Sequence, residues 1–521
     1  MNKLYIIGVL FLLFSCQRKT QSKGTNQENS ETDATTIYDE NYRGQYHFSP
    51  EKGWMNDPNG LVYKDSMYHL FYQYYPNATV WGPMHWGHAT TKNFKKWEHK
   101  PIALYPDDLG FIFSGSAVVD VENTSGFGKD GKAPLVAIFT HHNMKIEKEG
   151  GPVYQYQSLA YSLDEGETWT KYEGNPILVD EKNKDFRDPK VFWHKETKSW
   201  IMVLVAGDHA KLYRSKNLKK WDNISDFGLE QGAHGGVWEC PDLFKLKVKD
   251  NDEEKWVMLI SIGSGGPNGG SATQYFVGDF DGTTFTSEQK VHRWLDWGTD
   301  NYAGVTYNDA PKNERVFIGW MSNWQYALKT PTGNWRSAMT LPRKLGLEKK
   351  DNKYYLTSSP LKEFLELKSM ADGLSFDLKK GEQETLDMPG VGQSVLQFKM
   401  EKKDLKFALT NAAGERATML FDSASKLFIF DRTQSGNHGF NYEFGNKLHY
   451  MPVDDLPDTF EVTIYVDRSS WEVFINDGQF VFTQQLFPSE EWSGVLLENL
   501  SGNQNQIKGL KMAAIPSIWS N

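Results

Sequence analysis

Two cysteines in 521 residues are too few to staple a domain, since Cys16 lies near the start of the chain and Cys240 near its middle. With Cys16 acylated, no internal disulfide can form, and an exported fold must rest on core size alone. Charge of one sign is also lacking. The net charge of −10 comes from interspersed acidic and basic residues, which argues against nucleic acid or anionic lipid as a partner. Apolar runs are short: the run over 4–14 cannot span a bilayer as a helix, and no later run is long enough to do so.

What is present begins with that run. Lys3 gives a positive start, and Leu13-Phe14-Ser15-Cys16 resembles a bacterial lipobox. Residues 1–15 are therefore expected to be removed as a signal peptide, leaving Cys16 as a lipidated N-terminus, with an ordinary secretory signal as the alternative. Residues 16–40 are polar and read as a disordered tether. Gln17-Arg18-Lys19-Thr20 lacks an acidic run, which favours the periplasmic face over the cell surface. Membrane contact is expected only through the lipid anchor.

The remaining residues, roughly 480, suffice for two domains with real cores. Five places pass from a polar or aromatic motif straight into an apolar strand. They are Asp57-Pro58-Asn59-Gly60-Leu61, Ser114-Gly115-Ser116-Ala117, Arg187-Asp188-Pro189-Lys190-Val191, Glu239-Cys240-Pro241-Asp242-Leu243 and Asn301-Tyr302-Ala303-Gly304-Val305. They recur roughly every 50–70 residues. A second apolar strand follows each, over 67–72, 135–140, 200–205, 256–260 and 316–321. Several units close on a turn residue and an outer aromatic, as in Asn93 with Trp97, Asp164 with Trp169, Asn217 with Trp221 and Asp281 with Phe285. Five such units predict an all-β chain with a five-bladed β-propeller over 41–345. In a propeller the first strand of each blade lines the axis, so the five opening motifs converge at one end of it. After a linker over 346–370, in which Ser359-Pro360-Leu361 opens a short helical stretch to about Lys368, alternating strands predict a β-sandwich over 371–521. Asn476-Asp477-Gly478 reads there as a tight hairpin turn.

With 67 Asp and Glu in the chain, most carboxylates are solvated surface groups. Asp57, Asp188 and Glu239 stand apart because each opens an axial strand beside a bulky neighbour: Trp54, Arg187 or Trp238. A nucleophilic carboxylate and a second carboxyl that gives and retakes a proton are the parts of retaining glycoside hydrolysis. Spacing alone does not distribute those roles.

The motifs Trp54-Met55-Asn56-Asp57-Pro58-Asn59-Gly60, Phe186-Arg187-Asp188-Pro189 and Trp238-Glu239-Cys240-Pro241-Asp242 resemble, in wording and order, those of glycoside hydrolase family 32, the fructan hydrolases and invertases. The resemblance runs from about Tyr42 onward. It includes Phe71-Tyr72-Gln73-Tyr74, Trp81-Gly82-Pro83-Met84-His85-Trp86-Gly87-His88, Phe113-Ser114-Gly115-Ser116 and Gly319-Trp320-Met321-Ser322-Asn323-Trp324. It implies Asp57 as nucleophile, Glu239 as acid/base and Asp188 as the transition-state stabiliser that binds sugar hydroxyls. It further implies that Asn56, Gln73, Ser114 and Arg187 hydrogen-bond a terminal fructosyl unit, and that Trp54, Trp81, Phe113 and Trp320 wall its pocket. Packing between blades is the alternative use of those rings. Cys240 is expected to be a buried neighbour of the acid/base.

Weaker features point elsewhere. His141-His142-Asn143 would suggest a metal, but adjacent strand residues face opposite ways, so these read as solvated loop residues and no metal site is expected. Gly263-Ser264-Gly265-Gly266-Pro267-Asn268-Gly269-Gly270 lacks the Lys-Ser/Thr of a phosphate loop and reads as a mobile loop at the pocket rim. No cofactor is implied, because glycosyl transfer to water needs none. The expected activity is release of fructose from levan or inulin, and from sucrose, with exo-attack favoured. An endo-levanase and a non-hydrolytic fructan-binding lipoprotein are the alternatives. Loops 142–152 and 263–272 are expected to decide linkage preference.

Overall fold

A computed structural model describes residues 38–361 and 368–519, so the expected leader, lipidation site and most of the tether lie outside the described residues. So does most of the helical stretch expected after Ser359. Among the described residues, five sheets of four or five strands come first in the chain and two six-stranded sheets follow. No helix there is long and apolar enough to cross a membrane.

The five sheets are the blades, opened by the strands Gly53–Lys64, Phe111–Val119, Phe186–His194, Trp238–Lys247 and Tyr302–Thr306. Each pairs antiparallel with its successor, and the opening strands of neighbouring blades touch in a closed ring. The opening motifs share a physical device: every one carries an extra residue against its partner strand. Asn56 and Asp57 oppose Gln73, Phe113 and Ser114 oppose Thr140, Asp188 and Pro189 oppose Leu204, Cys240 and Pro241 oppose Ile260, and Ala303 and Gly304 oppose Gly319. Asp188, Cys240 and Ala303 adopt φ of 62°, 46° and 54° there. Such bulges re-aim side chains, and a proline with no N–H to pair is tolerated in them. This explains why Pro189 and Pro241 follow Asp188 and Cys240, while Pro58 directly follows the bulge that holds Asp57.

The turn signature has an equally local cause. Asn93, Asp164, Asn217 and Asp281 each accept a backbone N–H two to four residues on, closing the turn that feeds the outer strand. The ring closes where the short strand Trp335–Arg336 joins the first blade, pairing parallel with Gly53 and Trp54. On the axis, Asn308 donates to the carbonyls of Ala117 and Val191 at 2.8 and 3.0 Å, tying three blades together.

The fifth blade continues past the expected boundary at 345. Its outer strands are Arg343–Lys350 and Lys353–Pro360, so most of the expected linker is sheet, and Ser359 and Pro360 end a strand. The sandwich buries one face of each six-stranded sheet, with Phe430 stacked on Phe482 at 3.5 Å and Trp471 and Trp492 inside. Asn476, Asp477 and Gly478, all at positive φ, form the expected turn between Ser470–Ile475 and Phe480–Gln485.

Propeller and sandwich are joined by buried charge. Arg343 of the fifth blade reaches Asp296 at 2.9 Å and Glu472 of the sandwich at 2.5 Å. Arg432 of the sandwich pairs with Asp300 of the propeller at 2.9 Å. His47, just ahead of the first blade, sits between Asp467 and Glu472. Ions this deep are tolerated only when paired and hydrogen-bonded, and each of these is.

Candidate active site

The opening strands and their bulges bring residues of all five blades to one end of the axis. Asp57 keeps part of its surface open and is held from two sides. Asn56 Nδ2 donates to its Oδ1 at 2.9 Å, and Ser114 Oγ donates to its Oδ2 at 2.6 Å. Asp188 Oδ2 accepts the Cys240 backbone N–H at 2.9 Å, and its own N–H donates to Thr140 Oγ1 at 3.0 Å. Glu239 Oε1 accepts from Arg187 Nη2 at 3.1 Å, and its Oε2 accepts from the Tyr302 hydroxyl. The Cys240 thiol stands between the two aspartates, 3.5 Å from Asp57 Oδ2 and 3.6 Å from Asp188 Oδ2.

Three carboxylates in one desolvated site cannot all keep their ordinary acidity. Burial raises Asp57, the charge of Glu239 adds to the rise, and Ser114, Asn56 and Cys240 oppose it through hydrogen bonds. Burial lifts Asp188 to about 7; Arg187 pulls against it while Glu239 and Asp57 push it up. Burial and the same carboxylates push the Cys240 thiol far up, so it is a neutral donor here, as expected of a structural neighbour. Arg187 is further fixed by Asp185 at 2.7 Å, so its guanidinium bridges the pocket edge to Glu239.

A cavity of about 10 Å³, room for about one water, lies under the carboxylates between Asn59, Ser114, Asp188, Lys190 and Cys240. Beneath it Lys190 is buried against the Thr306 carbonyl and lies 3.3 Å from Asp242.

The expected pocket walls divide into two groups. Trp81 and Phe113 are half-buried and meet edge to face, with centroids 6.1 Å apart. Trp54 and Trp320 are 0% exposed, so they do not wall the pocket directly. Trp54 Nε1 donates to Asn56 Oδ1 at 2.7 Å, and the rings of Trp54 and Trp320 are covered by each other and by the half-buried Trp324. They hold Asn56 and Trp324 from behind. Gln73 is likewise buried, opposite Asn56 and Asp57, and donates to Asn59 at 2.7 Å.

Sequence reading missed Tyr302, Trp324, Thr140, Gln155 and Asp185. Tyr302 lies in the fifth opening motif, and only the lack of a carboxylate there kept it from notice. The two histidines are also corrected. Both end the strand Leu135–His142 and both are buried: His141 meets Ser158 at 2.7 Å, while His142 meets Glu147 and Gln155, each at 3.1 Å. The glycine-rich loop does start at the rim, where a Cβ on Gly263 would lie 3.6 Å from Glu239 Oε2. It is fastened to the sandwich by Asn268 Nδ2, which donates to the Tyr450 carbonyl and also to that of Trp297 in the propeller.

Residues 47–360 match the model of the "Glycosyl hydrolases family 32 N-terminal domain", and residues 369–514 that of "Glycosyl hydrolases family 32 C terminal". A levanase of Bacillus subtilis is 44% identical over 503 residues, covering 93% of this chain and 72% of its own. The extracellular exo-inulinase of Aspergillus awamori is 40% identical over 518 residues, covering 93% and 96%. Its crystal structure superposes with a TM-score of 0.85 at 38% identity, over 92% of this chain and all of that one (100%). A β-fructofuranosidase from Schwanniomyces occidentalis, complexed with fructosyl-erythritol, gives 0.83 at 32% identity over 93% and 99%. The two family matches fall on the propeller and the sandwich in turn, and the three carboxylates sit where the propeller's opening strands converge: the chain belongs to glycoside hydrolase family 32 and is a glycosidase.

Proposed function

We propose that the chain is a retaining β-fructosidase that releases fructose from β-D-fructans such as levan and inulin, and from sucrose. The observation that carries this is the convergence of Asp57, Asp188 and Glu239 at one end of the axis, with Asp57 held by Asn56 and Ser114 and Glu239 by Arg187 and Tyr302. Asp57 attacks C2 of a fructosyl unit while Glu239 gives its proton to the departing glycosidic oxygen, forming a fructosyl–enzyme ester. Glu239, now a carboxylate, takes a proton from water as that water attacks C2 and Asp57 leaves. Asp188, close enough to feel both charges, accepts sugar hydroxyls and steadies positive charge on the ring. Asn56, Ser114 and Arg187 orient the acids and reach the same unit. Curated relatives named levanase, exo-inulinase and invertase support this substrate class.

Exo-attack is the favoured mode, supported by the relatives named exo-inulinase. A time course on levan, inulin and sucrose tests both parts. Free fructose should appear first, with average polymer length falling slowly. An early burst of mixed oligosaccharides would replace exo-attack with the endo alternative, and no cleavage at all would leave a fructan-binding protein. In the cell, export and anchoring through Cys16 on the periplasmic face are proposed. Cys16→Ser should then move the protein from the membrane fraction to the soluble one.

A further inference from the structure

A polar network beside the pocket takes no part in the two displacement steps. The buried Gln155 accepts the Phe186 backbone N–H at 2.9 Å through Oε1, and the same oxygen lies 3.4 Å from Arg187 Nη1. Those donors fix the amide, leaving its NH₂ to face His142 Nδ1 at 3.1 Å. Nδ1 is then an acceptor, so the imidazole proton is on Nε2, which donates to Glu147 Oε2 at 3.1 Å. Glu147 lies on the short helix Met144–Lys148, in the connection between the strands Leu135–His142 and Gln155–Ser162, with a side chain 41% exposed. One run of hydrogen bonds thus links a solvent-facing loop to the guanidinium that touches Glu239.

The same imidazole lies flat on Phe113, with centroids 4.3 Å apart and planes 3° from parallel. Phe113 in turn meets Trp81 and directly precedes Ser114, which holds Asp57. We propose that His142 is a positioning residue for substrate specificity. Clamped by Gln155 and Glu147, it fixes the Phe113–Trp81 wall where the fructosyl pocket opens toward the sugar beyond the cleaved bond. The connection over 143–154 thereby sets the preference for the sugar to which the terminal fructosyl unit is joined. This rests on the fructosidase reading above. Gln155 joins the wall to Arg187, and Arg187 touches the residue that protonates the leaving oxygen, so the leaving sugar is the part of the substrate on this side.

The test uses Glu147→Ala and His142→Phe with two substrates, methyl β-D-fructofuranoside and a fructosyl-fructose disaccharide. Phenylalanine keeps a flat ring on Phe113 but neither hydrogen bond; Glu147 is exposed enough for its removal to leave folding intact. Loss of the His142–Glu147 hydrogen bond, common to both variants, should raise KM for the disaccharide about tenfold. For Glu147→Ala, kcat should stay within about twofold, and KM for the methyl fructoside should change by less than about twofold. Equal changes on both substrates, or none on the disaccharide, would overturn the assignment. Failure of the wild-type enzyme to cleave either substrate would overturn the underlying fructosidase reading instead, a result distinct from both.

Discussion

Ser114 Oγ donates to Asp57 Oδ2 at 2.6 Å, across two blades and 57 residues of sequence. The hydroxyl stabilises the carboxylate form of a group that burial and Glu239 otherwise push toward protonation. Ser114→Ala removes that help, so a higher pH is needed to ionise Asp57. The ascending limb of kcat/KM against pH should shift up by about one unit, the worth of one charge-assisted hydrogen bond. The limb belongs to the coupled carboxylates together, and a limb that stays in place would mean that Asp57 is not the group that must be ionised.

Glu239 carries the proton in the proposed mechanism, so its need should track the leaving group. Glu239→Ala should cost about 10²–10⁴ in rate on sucrose or levan. On an aryl fructoside whose phenolate leaves unaided, formation of the ester should be nearly unaffected, seen as a burst of phenol followed by slow turnover. Equal losses on both substrates would remove Glu239 from the role of donor.

The blade repeat was legible because each blade spends the same short-range chemistry twice, a bulged opening strand and an Asn or Asp turn before an outer aromatic. The carboxylates were legible for the same reason: Asp57 and Asp188 sit in bulges and Glu239 directly before one, and a proline follows each within two residues. Trp54 and Trp320 were misread because a tryptophan near an acid does not disclose which face another ring covers. The histidines at 141 and 142 were misread because the strand runs two residues past its apolar stretch, kept in register by Tyr156 and Gln155. The end of the propeller was placed too early because the strand Arg343–Lys350 follows a stretch of 3-10 helix and two-residue strands, one of which belongs to the first blade. The ionic seam between domains was invisible, since Arg343 and Glu472 are 129 residues apart and carry no local signature.

His47 gives that seam a pH dependence. Both ring nitrogens face carboxylates, Nδ1 at 2.7 Å from Asp467 and Nε2 at 3.0 Å from Glu472, so both must carry protons. Burial opposes the charge, but the hydrogen bonds to Asp467 and Glu472 outweigh it and lift His47 to about 9. A pKa raised in the folded state contributes fully below the unfolded value, about 6.5, and is lost as pH climbs through the folded one. From pH 6.5 to 9 the loss is on the order of 3 kcal/mol. The melting temperature should therefore fall over that window, and His47→Gln should lower it throughout while flattening the slope. A wild-type profile level from pH 6.5 to 9 would show that His47 is neutral in the folded protein.

Arg343 tests whether propeller and sandwich unfold as one body. Its guanidinium is fully buried and is the cation shared by Asp296 of the propeller and Glu472 of the sandwich. Arg343→Met keeps much of the volume but leaves two buried carboxylates short of a partner, a defect that costs about 3–5 kcal/mol. His47 still faces Glu472, and Thr483 still donates to Asp296 through its hydroxyl and backbone N–H, so part of the seam survives. The wild-type enzyme should then unfold in urea in one step, with tryptophan fluorescence and activity falling together. In Arg343→Met the loss of activity should come at lower urea than the fluorescence change of the sandwich, whose Trp471 and Trp492 lie in its own core. If both signals moved together and by less than about 1 kcal/mol, the buried pair would contribute no more than an exposed one, and the two domains would owe their coupling to apolar contact.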